Sequence, residues 1–180
     1  MRKIIEYCLV SADGIMLEDP FPFRDHLDDA YLRDRLGLFA ACDAMLFGRT
    51  TYERLAKRWP PGSEVARPYA ARLNAIRKYV FSSKLESAEW NNSTIVRGDV
   101  AAEVTKLKQQ DGGDLLILGH GLLGETLLKQ RLLDVLDLAI HPVLVGHGKP
   151  FFREGQGVKL KLATTKSFSK IVKVTYEPQY

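Results

Sequence analysis

Three short stretches of the 180-residue chain combine residue types that can hold a phosphate. In Asp43-Ala44-Met45-Leu46-Phe47-Gly48-Arg49-Thr50-Thr51-Tyr52-Glu53, an apolar run that reads as a buried strand leads into a helix start. Gly48 would let the backbone turn sharply and let a ligand approach closely. Arg49 adds a fixed positive charge where a helix N-terminus already attracts anions, and Thr50 and Glu53 have the spacing of a capping box. An ordinary strand–helix junction with a solvated arginine has the same composition, so this stretch alone does not decide. Ser82-Ser83-Lys84 ends another expected strand and sets two hydroxyls beside a cation, although a plain polar turn would look the same. Gly119-x-Gly121-x-x-Gly124, with His120, Leu122, Leu123 and Glu125 in and beside it, matches the dinucleotide fingerprint, after a strand and before a helix. That fingerprint usually has an acid about 20 residues on, which binds the ribose 2′-hydroxyl. Here the region reads Val143-Leu144-Val145-Gly146, without an acid. Hydroxyls plus a cation at Ser82-Ser83-Lys84 suit a 2′-phosphate instead, which favours NADP over NAD and makes NADPH the expected cofactor.

These stretches matter only if one scaffold brings them together. Apolar runs predict strands over residues 4–10, 44–47, 78–81, 94–96, 114–118 and 136–145. Between them, helices are expected from Asp28 or Asp29 to about residue 41, from the Gly48 junction onward, over about 64–76, from Asp99 to the Asp111-Gly112-Gly113 stop, and from the Gly119 junction to about 133. Pro68 must fall in the first turn of its helix or divide it. Residues 159–163 and 171–176 alternate with period two and read as an antiparallel hairpin on a sheet edge. The alternation argues for an α/β fold with an open, mostly parallel sheet and a closing antiparallel element. In such a sheet the C-terminal strand ends share one edge, where ligands bind. With no internal repeat or linker, one domain over 1–180 is expected.

Composition narrows the function. Apolar residues make up 46% and charged residues 27%, which is ordinary for a globular protein. The net charge of +4 comes from basic residues scattered among acids, so a nucleic-acid stripe is not indicated. No apolar run approaches the ~20 residues of a membrane span, and the N-terminus has no secretory pattern. A cytoplasmic protein without membrane or nucleic-acid partners is expected, with Cys8 and Cys42 as buried, reduced packing residues. The four histidines have no partner at a metal-ligand spacing, so no metal is expected. The hairpin, marginal as an isolated ribbon, predicts a homodimer through that region.

The ordered set Ser11-x-Asp13-Gly14, Asp43-x-x-Leu46-x-Gly48-Arg49-x-Thr51-Tyr52-Glu53, Ser82-Ser83-x-Leu85, the Gly119 junction, and His141-Pro142-Val143-Leu144-x-Gly146-x-Gly148 resembles the dihydrofolate reductase-like superfamily. It is most similar to the branch holding the reductase domain of riboflavin biosynthesis and small stand-alone bacterial reductases. The resemblance spans nearly the whole chain. It implies a three-layer fold with a mixed, mostly parallel sheet and an NADPH-dependent reductase acting on a small pyrimidine- or pterin-like substrate. It further implies cofactor phosphates at Gly48, Arg49, Thr50 and Thr51, the 2′-phosphate at Ser82 and Ser83, and the pyrophosphate under Gly119 to Gly124. The Trp-then-carboxylate pattern of true dihydrofolate reductases is absent from 21–29, where Asp29 stands nearest the carboxylate position. Asp13, in the turn that borders substrate in the riboflavin branch, is the expected substrate-facing acid. The alternative expectation is a non-catalytic dimeric nucleotide-binding or regulatory module on the same fold.

Overall fold

The computed structural model describes residues 1–18, 25–60, 67–152 and 157–180. Along the chain these form β1 (Ile4–Ser11), α1 (Asp29–Ala41), β2 (Cys42–Gly48), α2 (Arg49–Arg58), α3 (Arg67–Ala75), β3 (Arg77–Phe81), β4 (Ser93–Val96), α4 (Val100–Gln109), β5 (Asp114–Leu118), α5 (Leu122–Lys129), β6 (Val135–His141), β7 (Lys159–Ser167) and β8 (Val172–Gln179). Eight strands make one sheet in the order β4-β3-β2-β5-β1-β6-β8-β7. The first six are parallel, while β8 and β7 join antiparallel at the β6 edge.

The apolar strands β1, β2 and β5 occupy the middle because helices cover both of their faces. On one face Tyr7, Phe47 and Leu116 pack with Phe39 of α1, Leu73 of α3 and Tyr52 of α2. On the other, Ile4, Leu46 and Leu115 pack with Val104 of α4 and Leu127 of α5. The result is the expected three-layer architecture with a mixed, mostly parallel sheet. Cys8 and Cys42 are free thiols inside it.

Helix starts follow local chemistry. Asp28 caps α1 by accepting from the Tyr31 amide at 2.8 Å, so Asp29 is the first helical residue and is exposed. Asp99 caps α4 in the same way, accepting from the Ala102 amide at 2.8 Å. Pro68 sits in the first turn of α3, where its missing N–H is harmless. Residues 64–66 of that expected helix lie outside the described residues. Strand β6 stops at His141, short of the expected residue 145, because Pro142 has no N–H for a ladder. The hairpin is longer than its alternating pattern indicated, with β7 reaching Ser167 and β8 reaching Gln179. A buried ion network fastens it to the body: Lys173 of β8 reaches Asp34 of α1 and, at 3.4 Å, Asp137 of β6. No helix among the described residues is long and apolar enough to cross a membrane.

Candidate functional site

The C-terminal ends of β2, β3, β4 and β5 open onto one cleft of about 630 Å³. Every residue expected at a cofactor lines it: Gly48, Arg49, Thr50 and Thr51 from the β2–α2 junction, Ser82, Ser83 and Lys84 after β3, and Gly119, His120, Gly121, Leu122, Leu123, Gly124 and Glu125 from the β5–α5 junction. Topology explains the convergence, since β2 lies between β3 and β5 in a parallel run.

Two helices begin at this cleft without a side-chain cap. Gly48 is the N-cap of α2 and Gly121 the N-cap of α5, and neither helix start has a side-chain cap hydrogen bond. The expected capping box of Thr50 and Glu53 does not form. The helix begins two residues earlier than that pairing requires, so Thr50 is already helical and Glu53 instead accepts from the Arg49 guanidinium, at 3.2 and 3.3 Å. First-turn amides of both helices therefore face the cleft with their partial positive charge. By contrast α1 is capped by Asp28 and α4 by Asp99.

The glycines serve different ends. Gly48 has φ −80°, so no sharp turn demands it, contrary to expectation, but a Cβ there would meet nothing within 4 Å. Gly121 is likewise open, with an extended backbone at φ −171°. Both leave space above amides, as a close backbone approach to a phosphate needs. Gly119 takes a left-handed conformation at φ +78°. Gly124 is a packing position, where a Cβ would lie 2.0 Å from Glu6 Oε1.

The far wall is held from behind. Ser82 Oγ accepts from the amides of Lys84 and Leu85, at 3.1 and 2.9 Å, and so staples its own turn. Arg97 donates to the carbonyls of Ser83 and Leu85 at 3.0 and 2.8 Å, which leaves Ser83 and Lys84 exposed on a fixed loop. Among the described lining residues, Arg49, Arg54, Lys84 and Lys149 are basic and Glu18 and Glu125 acidic. The balance favours an anionic ligand. Glu18 ties two of these cations together: Lys149 Nζ donates to Glu18 Oε1 at 3.0 Å, and Arg54 lies 3.8 Å from its other carboxylate oxygen. Glu18, Arg54, Lys149 and Met16 were missed by sequence reasoning. They come from segments far apart in the chain, with no local pattern to join them.

Asp13 lies elsewhere. Its carboxylate accepts from Ser11 Oγ at 2.5 Å, from the Gly146 amide at 2.7 Å and from the Val145 amide at 3.2 Å. It is not among the cleft-lining residues. These donors, Ser11 foremost, hold its pKa down to about 2. These bonds make Asp13 an anchor of the Gly146 loop and hold it ionised at neutral pH, as a carboxylate that orients a substrate would be. A carboxyl depressed from 3.8 to about 2 gives stability that is present above 3.8 and is lost as pH falls through about 2. We therefore expect Asp13→Asn to lower the melting temperature at pH 7, with the gap to wild type closing as pH falls to about 2. Thermal melts across that range check both parts.

Beside the cleft, His141 at the end of β6 is fully buried, with His26 Nδ1 at 3.4 Å from its Nδ1. Burial, then the nearby His26 and Arg35, push its pKa down to about 4, so it is neutral at pH 7. Among the described residues no group of His, Cys, Asp or Glu is placed to hold a metal ion.

Comparison with known proteins gives a family and a fold. The family model of the RibD C-terminal domain matches residues 2–174. The uncharacterized protein YyaP of Bacillus subtilis (strain 168) is 30% identical over 138 residues, covering 74% of this chain and 73% of that protein. Among solved structures, a pyrimidine reductase-like protein from Corynebacterium diphtheriae superposes with a TM-score of 0.68 at 13% identity, over 99% of this chain and 92% of that one. Dihydrofolate reductase from Enterococcus faecalis, complexed with NADP(H), superposes with a TM-score of 0.64 at 14% identity, over 99% and 97%. At these identities the structural likenesses establish the fold.

Proposed function

Because the chain belongs to the RibD C-terminal domain family, a family of reductase domains, we propose that it is an NADPH-dependent oxidoreductase that delivers a hydride to a small heteroaromatic or carbonyl-type substrate of the pyrimidine or pterin kind. The observation that carries this reading is the pair of uncapped helix N-termini facing one basic cleft. A protein that merely kept the fold would have no physical need of Arg49, Arg54, Lys84 and Lys149 around two open helix N-termini.

In this reading Arg49 and the first-turn amides of α2 bind one phosphate of the dinucleotide. The first-turn amides of α5, at Leu122, Leu123 and Gly124, bind the other. Ser83 and Lys84 bind the 2′-phosphate, on the loop that Arg97 and Ser82 keep in place. Bound NADPH supplies the hydride from its nicotinamide ring. The protein's part is to orient that ring and exclude water, with Met16 and Pro150 as apolar walls of the cleft.

Fluorescence titration with NADPH and NADH tests the proposal. Wild type should bind NADPH more tightly than NADH. Arg49→Ala should weaken both, and Ser83→Ala should weaken NADPH alone, each by about tenfold as expected for one charge-assisted hydrogen bond. Absence of binding for either nucleotide overturns the assignment.

The hairpin supports a homodimer. β7 is an exposed edge strand with almost no buried residue, and Leu162 and Val172 are 56% and 42% exposed. Such an edge is a template for strand pairing unless something covers it. Light scattering at micromolar concentration should give twice the 20.3 kDa chain mass, and a monomeric mass refutes the dimer.

A further inference from the structure

A buried acid lies directly beneath the glycine turn. Glu6 sits in the middle of β1, is wholly buried, and has Ile117 of β5 and Leu136 of β6 as its strand neighbours. Both carboxylate oxygens contact His120 Nδ1, at 3.0 and 3.1 Å. The His120 ring is shielded in turn by Phe151 and Phe152, with centroids 4.9 and 5.7 Å away. Gly124, in the first turn of α5, closes over the contact, because a Cβ there would be 2.0 Å from Glu6 Oε1 and 2.8 Å from His120 Nδ1. The pair therefore forms the floor under the amides that face the cleft.

Nothing in the sheet calls for this pair. Two apolar side chains of similar volume would fill the space without the desolvation penalty that ionisable groups carry. Its consequence is electrostatic. With the carboxylate ionised and the imidazole protonated, the pair is neutral. Once the imidazole loses its second proton, the pair carries one buried negative charge under an anion site, where low polarisability screens it little.

We propose that the Glu6–His120 pair is a proton-linked support of the cofactor site, so that binding an anion on the first turn of α5 drives uptake of a proton by the pair. The assignment rests on the dinucleotide reading above. Glu6 is a positioning residue: it touches no ligand and acts through His120 and the turn. Among the described residues, the titratable groups that face the pair include Glu125 of α5, Cys8 of β1 and Tyr180 near the chain end. Glu125 adds to the negative field and so strengthens the preference for the protonated pair. Burial pushes the Glu6 carboxyl above its ordinary range, with His120 opposing it.

Isothermal titration calorimetry of the full chain in buffers of different ionisation heat measures the protons taken up, using NADPH and, separately, inorganic pyrophosphate, from pH 6 to 9. Glu6→Gln and His120→Asn remove the titration while keeping a hydrogen-bonding pair, and either variant alone is enough if the other does not fold. The difference between wild type and variant also removes the ligand's own phosphate titration. Wild type should take up more protons than either variant and lose affinity as pH rises, by about tenfold for each pKa unit that binding adds to the pair. The variants should show flatter profiles. Pyrophosphate uptake without NADPH binding would refute the dinucleotide reading and leave the pair's role standing. Equal uptake in wild type and variants, with both ligands, overturns the inference.

Discussion

Replacing Gly121 with valine should leave the fold intact and weaken NADPH binding by at least about a hundredfold, or ~2.7 kcal/mol. The expectation follows from two geometric properties of the position. Its backbone is extended, which any residue can adopt, and a Cβ there meets no atom within 4 Å. A side chain added in the free protein therefore causes neither strain nor overlap. It projects into the space above the α5 amides, where a phosphate must approach within hydrogen-bonding distance. The melting temperature should stay within about 2 °C of wild type, since surface changes without new contacts rarely exceed ~0.5 kcal/mol. Gly124→Ala is the contrasting control: overlap with Glu6 predicts a loss of about 1–3 kcal/mol in stability, whatever happens to binding. Melting curves and fluorescence titrations of the two variants separate ligand space from packing space.

The second large effect belongs to the hairpin anchor. Lys173→Ala should destabilise the protein by about 3 kcal/mol, equivalent to roughly 6–12 °C in melting temperature for a chain of this size. Lys173 and Asp137 have side chains only 7% and 6% exposed, so removing the ammonium leaves Asp137 buried with Thr175 as its remaining hydrogen-bond donor, at 2.6 Å. Asp34 keeps Lys166, which holds the estimate at the low end of the range for broken buried pairs. Burial pushes the Asp34 carboxyl up, but hydrogen bonds from Lys166 and Lys173 outweigh it and leave its pKa below 3.8. Its contribution is thus present above that value and lost as pH falls through the folded one. Chemical denaturation at pH 7 checks the magnitude, and replacing Lys173, Asp34 and Asp137 together with apolar residues should recover much of the loss.

How much of this was legible depended on the distance over which each signal acts. The three cleft junctions were readable because each lies within a few residues, and the strands that carry them are short apolar runs. The helix caps at Asp28 and Asp99 were readable for the same reason. Thr50 and Glu53 misled because a capping-box spacing says nothing about which residue opens the helix, and Gly48 took that place. The anchoring bonds of Asp13 were not readable, because the amides of Val145 and Gly146 lie more than 130 positions away. Glu6 gave no signal within an otherwise apolar strand. Only the placement of α5 across the sheet turns it toward His120.

The order of strands also bears on how the chain is made. Of the eight strands of the sheet β1 is made first, yet both of its neighbours, β5 and β6, begin at Asp114 and Val135. Until those segments leave the ribosome, a strand built to be buried on both faces has neither edge paired. β2, β3 and β4 can meanwhile associate as neighbours in sequence. Closure of the sheet centre is therefore a late, long-range event, the kind that slows folding and exposes aggregation-prone strands. A nascent chain stalled before residue 114 would present β1 to chaperones as an open, apolar strand.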